Sequence, residues 1–192
     1  MKKVVSLLLV LMMVAAMAAG CAPAKPVETE PAVVVPASAL EILENIWALY
    51  GDDEKFFCMG GDFNNPVDNA PGNYGLEDAE MLSYQLYVPA DQVAAIDQAA
   101  SLIHAMNTNT FTCGVFHVTD GTDAKAFATA VRDNVQSARW MCGFPEKLIV
   151  AVIGGEYVLM VFGLNDAVNP FEAKLATAYP DAEIAFNEAI AG

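Results

Sequence analysis

Positive charge is scarce in this 192-residue chain: nine lysines and arginines stand against 24 aspartates and glutamates, for a formal net charge of −15. Such a surface repels polyanions, which excludes nucleic acid as a partner and electrostatic docking on anionic lipid. Histidine is scarcer still, with two residues in all, His104 and His117. The catalytic signatures that rest on a few fixed residues are missing: no Gly-x-Ser-x-Gly, no His-Glu-x-x-His and no phosphate-binding glycine loop. Cysteine is limited to Cys21, Cys58, Cys113 and Cys142, at spacings that fit neither a zinc knuckle nor a redox pair. No apolar run is long enough for a spanning helix, since the strongest, Val4 to Val14, falls well short of about 20 residues.

What is present begins at the first residues. Lys2 and Lys3 precede the apolar run, and the small residues Ala18, Ala19 and Gly20 stand directly before Cys21, the order of a secretory signal peptide. This arrangement resembles the lipobox of bacterial lipoproteins, with Ala18 where that family more often has Leu. The resemblance implies cleavage before Cys21 and a diacylglyceryl thioether on its sulfur, two acyl chains that give stable attachment to a membrane. The alternative is an ordinary secretory signal followed by a chance cysteine. Residues 22–37 hold Pro23, Pro26, Pro31 and Pro36 and read as an extended tether. The expected organisation is a signal peptide over 1–20, a lipidated cysteine and tether over 21–37, and one domain over 38–192. With Cys21 acylated, three cysteines remain, an odd number that leaves idle thiols or at most one bridge.

The domain opens with a helix over 38–50: Ser38 and Glu41 have capping-box spacing, Leu43, Ile46, Trp47 and Tyr50 follow at helical intervals, and Gly51 stops it. Residues 51–75 are rich in Gly, Asp, Asn and Pro and form a long loop. Asp62, Asn64, Asn65 and Asp68 suggest a calcium loop, but Pro66 occupies a ligand position and no Glu closes the set, so turn chemistry accounts for them better. Leu76 to Val88 reads as a short helix with an extended exit. Pro89 and Asp91 then open a predicted helix with the stripe Val93, Ile96, Ala100 and Ile103. A strand over 111–118, a helix over 122–141 and two apolar runs, 147–153 and 156–163, follow, the runs joined at Gly154-Gly155 as a tight hairpin. A last helix runs from Asn169-Pro170 to about Tyr179. The pattern is α+β: a small, mainly antiparallel sheet that includes the Gly-Gly hairpin, packed with about four to five helices. Both alternating sets of the hairpin are apolar, so both sheet faces must be covered, by the chain's own helices or partly by another chain.

From about Tyr87 to Phe171 the chain resembles a family of bacterial lipoproteins of unknown function, common in Gram-positive anaerobes. The matching pieces are Tyr87-Val88-Pro89, the strand Gly114-Val115-Phe116-His117-Val118 with Asp120 beyond it, the helix carrying Arg132 and Trp140, and Gly155-Glu156-Tyr157-Val158-Leu159. The resemblance implies a secreted, anchored domain and carries no catalytic residues.

Candidate chemistry is thin. Cys113 and His117 share a strand face but sit about 13 Å apart, too far for a nucleophile and its base. Cys113 therefore reads as packed, and His117 as lying near a strand end with a polar partner. Asp97, Ser101 and His104 fall on the polar side of the predicted helix, where a straight face cannot bring a triad together. Lys125, Arg132 and Arg139 stand at heptad spacing and form one stripe on the 122–141 helix, either a solvated face or a landing surface for an anionic ligand or partner. The expectation is a lipid-anchored extracytoplasmic binding or accessory module of unknown ligand, attached to the cell membrane through Cys21, with no cofactor or metal, and able to meet a protein partner or a second copy. The alternative is a cell-surface hydrolase using carboxylates near the 51–75 loop.

Overall fold

The computed structural model describes residues 36–106 and 109–190. The expected signal peptide, Cys21 and most of the tether lie outside these residues. None of the helices among the described residues is long and apolar enough to cross a membrane.

Helix α1 (Ala39–Trp47) forms where the caps predict it: Ser38 Oγ accepts the Glu41 amide at 3.1 Å, and Glu41 reaches back to accept the Ala37 amide. Within the 51–75 loop, three short strands form, β1 (Cys58–Gly60), β2 (Val67–Asp68) and β3 (Gly72–Tyr74). Then come α2 (Ala79–Leu86), a 3-10 turn (Ala90–Ala95), β4 (Ile96–His104), β5 (Thr112–Val118) and α3 (Ala124–Gln136). The chain continues through β6 (Lys147–Ile153), β7 (Tyr157–Gly163), α4 (Asn165–Ala178) and β8 (Glu183–Ala189).

The architecture is α+β: an open eight-stranded sheet in the order β2-β1-β4-β5-β7-β6-β8, with β3 also pairing β4. The pairings are antiparallel. Connection rules explain how both faces are covered. The links β5–α3–β6 and β7–α4–β8 each skip one strand in the same lateral direction, but β5 and β7 run oppositely. A single handedness of crossover then places α3 and α4 on opposite faces. Accordingly Ile149, Ala151, Leu159 and Val161 pack with α1 and α4, and Leu148, Val150, Val158 and Met160 pack with α2 and α3. The apolar character of both hairpin faces has its cause in this chain's own helices.

Several elements differ from the sequence reading. The helix predicted after Pro89 is only the 3-10 turn, and Ile96 onward is strand. Its alanines favour helix locally, but β4 gains partners on both edges and packs beneath α1, and that tertiary pairing prevails. Helix α3 stops at Gln136 rather than 141. Helix α4 starts at Asn165, four residues before the predicted start at Asn169, and carries Pro170 inside it. Strand β8, an edge strand only partly buried, had no predicted counterpart. The hairpin forms as read: Gly154 and Gly155 have φ of 63° and 81°, and Glu156 completes the connection before Tyr157 pairs with Ile153.

Candidate functional site: an aromatic cleft beside Arg139

Early termination of α3 leaves one end of the sheet uncovered by that helix. Its floor is a cross-strand row: Ile103 on β4 opposes Thr112 on β5, which opposes Phe162 on β7. Over this row stand Tyr87 and Trp140. Ring centroids are 5.1 Å apart for Tyr87 and Phe162, 5.2 Å for Trp140 and Phe162, and 5.4 Å for Tyr87 and Trp140, so the rings form a closed triangle at favourable aromatic separations.

Tyr87 is held there against its backbone preference. It caps α2 in the left-handed region (φ 56°, ψ 22°), a conformation that costs a residue with a side chain roughly 1–2 kcal/mol. Asn134 of α3 donates to the Tyr87 carbonyl at 2.8 Å and fixes the turn. Burial, and secondarily the neighbouring Tyr84, raises the Tyr87 phenol above its usual range, so it stays a neutral hydroxyl.

Tyr84, Gln85, Asn109, Thr110, Arg139, Met141 and Cys142 complete the wall of a cleft of about 410 Å³. That volume lies within the usual range for small-molecule sites, about 300–1,000 Å³. The rim is apolar and exposed, with Tyr84 at 75%, Met141 at 87% and, just beyond it, Phe144 at 65%. Trp140 Nε1 and Thr110 Oγ1 are buried and without hydrogen-bond partners among the described residues.

The electrostatics single this cleft out. Among the described residues no carboxylate lines it. The cleft at the start of α3 contains Asp123, Asp181 and Glu183; that beside β3 and β4 contains Glu77 and Asp97; that under the 62–78 segment contains Asp62, Glu77 and Asp78. The cations tell the same story. Lys125 pairs with Glu183, Arg132 with Glu188 and Asp133, Lys147 with Glu172, and Lys174 with Glu54, while Lys55 lies over the Trp47 ring. Among the described residues, Arg139 alone of the basic side chains has no such partner.

The predicted stripe is thereby divided. Lys125 and Arg132 sit on α3 and are held by carboxylates of β8. Arg139 lies past the end of the helix, on the segment that walls the cleft. The sequence reading named Arg139 but missed Tyr84, Tyr87, Trp140 and Phe162 as a group. Their proximity depends on strand register and on where α3 ends.

The other candidates have structural roles. His117 Nδ1 meets Asp97 Oδ1, with Glu156 3.8 Å from Nε2, which is the polar partner expected near a strand end. The Asp97, Ser101 and His104 grouping is on a strand, not a helix, and it disperses: Ser101 is buried and donates to the Gly61 carbonyl, and His104 stacks on Phe56. Cys58 and Cys113 are buried, Cys142 is exposed, and all three are free thiols. In the 51–75 loop, Asp62 accepts the amides of Gly75, Asn64 and Asn65, the turn chemistry the sequence implied. Those hydrogen bonds, Gly75's first, hold its carboxyl below the usual range. Glu54 is held low likewise by the Gly51 amide and then by Lys174. Carboxyls lowered in this way are poor proton donors near neutral pH. Among the described residues no cluster of three or more His, Cys, Asp or Glu side chains is arranged to hold a metal ion.

Compared with known protein families, curated proteins and solved structures, the chain matches none.

Proposed function

We propose that this chain is a lipid-anchored extracytoplasmic binding module, held to the membrane through Cys21, and that the Tyr87–Trp140–Phe162 cleft is where it takes a small-molecule ligand. The observation that carries the reading is the cleft itself: preformed aromatic walls and, among the described residues, an unpaired cation and no carboxylate, in a chain where acidic residues are abundant. Aromatic-lined concavities with a few placed polar groups are the usual form of ligand sites. The secretory signal and the Pro-rich tether support the location.

Two measurements test it. Replacing Cys21→Ser should abolish metabolic lipid labelling and leave the protein uncleaved or shed it to the medium; persistent labelling would remove the anchor from the reading. For the site, the full processed chain in detergent is titrated with phenylacetate, phenylacetamide, glucuronate and glucuronamide by ligand-observed NMR. At least one should bind saturably, and Trp140→Ala should abolish that binding while Lys125→Gln leaves it intact. Binding unaffected by Trp140→Ala would show that the cleft is not the site.

A further inference from the structure

We infer that the cleft selects a small ring compound bearing a single carboxylate; this rests on the cleft being the ligand site. The ring follows from the walls. Tyr87 and Trp140, both half-buried, offer apolar ring faces above the buried Phe162, and the exposed Tyr84 adds a third at the mouth. A ring presents a complementary flat face and loses little conformational entropy on binding.

The carboxylate follows from the cation. A guanidinium offers a planar fork of donors that matches a carboxylate or a phosphate, and in this chain the other described guanidinium, on Arg132, is occupied by Glu188 and Asp133. Among the described residues Arg139 has no acidic partner, although acidic residues outnumber basic ones 24 to nine in the chain. A negatively charged ligand can therefore be paired in this cleft, while the three other clefts described above present carboxylates that would repel it.

The charge number follows from the surroundings. One guanidinium neutralises one negative charge. A phosphomonoester carries about −1.5 to −2 at neutral pH, and the excess would face the field of a protein with a net charge of −15. A monocarboxylate leaves no such excess. The polar side chains lining the cleft, Gln85, Asn109, Thr110 and Thr112, suit either an aromatic acid or a sugar acid, whose shared chemistry is one carboxylate on a ring.

The test uses the full processed chain in detergent, with phenylacetate, phenylacetamide and phenyl phosphate as the aromatic arm and glucuronate and glucuronamide as the sugar arm. In at least one arm the acid should bind at least about tenfold more tightly than its amide, the low end for a charge-assisted hydrogen bond. That preference should disappear in Arg139→Gln and persist in part in Arg139→Lys. The arm with the larger preference identifies the ring. Phenyl phosphate should bind more weakly than phenylacetate. Equal binding of acid and amide, lost in Trp140→Ala, would overturn the carboxylate inference while leaving the cleft in place. Tighter binding of phenyl phosphate would overturn the single-charge argument. If no probe binds, both this inference and the reading it rests on fail.

Discussion

Consider an aspartate placed in turn on either face of β6, as Ile149→Asp and Val150→Asp. Both positions are fully buried, Ile149 against α1 and α4 and Val150 against α2 and α3. Each substitution loses the burial of an aliphatic side chain, about 1.5–3 kcal/mol. It also sets a carboxyl where no cation waits, so the folded state keeps it protonated. Holding a group with an ordinary pKa near 3.9 neutral at pH 7 costs about 4 kcal/mol, at 1.36 kcal/mol per unit. The total, roughly 6–7 kcal/mol, is a large part of the 5–15 kcal/mol typical of a domain. The sign with pH is fixed: a carboxyl whose pKa rises on folding destabilises increasingly as pH rises above its unfolded value. Each variant should therefore regain about 1.4 kcal/mol per unit as pH falls from 7 toward 4, relative to native protein at the same pH. Urea denaturation at pH 5, 6 and 7 measures this. Should either variant fail to fold at pH 7, Ile149→Ala, expected to lose about 2–5 kcal/mol, supplies the burial component alone. A loss below about 1 kcal/mol at either position, or one that ignores pH, would refute the claim that this chain's own helices bury both faces.

Other expectations concern single contacts. In folded protein at pH 8, a thiol reagent should modify Cys142 quickly and spare Cys58, pushed up to about 11 by burial, and Cys113, fully buried; denaturant should release both. Glu188, held low by Arg132 and then by Gln136, stabilises the attachment of β8 above the unfolded carboxyl range and loses that contribution as pH falls through its folded value. The protection of β8 amides against exchange should accordingly fall in acid before that of β7, and Glu188→Gln should flatten this dependence. Gly60→Ala should destabilise by about 1–3 kcal/mol in thermal or urea melts, because a Cβ there would lie 2.2 Å from the Gly72 amide nitrogen where β1 and β3 meet.

The parts of this fold that were legible in the sequence are those whose partners lie close along the chain. The cap at Ser38, the apolar runs of β6 and β7 and the two-glycine turn are local signals, and each produces the element it predicts. β4 was misread because Ala94, Ala95, Ala99 and Ala100 speak for helix, while the edges that make it a strand come from β1, β3 and β5. β8 was missed for a related reason: its pairing with β6 and the pull of Lys125 and Arg132 on its carboxylates are long-range effects. The cleft was hidden by one boundary. Extending α3 to residue 141 puts Arg139 in a heptad stripe with Lys125 and Arg132, whereas ending it at Gln136 turns Arg139 and Trp140 onto the sheet end. Sequence spacing therefore identified the right cation and gave it the wrong neighbours.

The turn at Gly154 and Gly155 has a consequence for the ensemble the chain leaves when it folds. Two adjacent glycines roam more of backbone space than any other pair, so confining both to positive φ forfeits more disorder than the turn requires. Asparagine tolerates the left-handed conformation at the first of these positions and explores less space when unfolded. Gly154→Asn should thus raise the melting temperature without adding a contact to the native protein, by a gain of a few tenths of a kcal/mol that originates in the denatured chain.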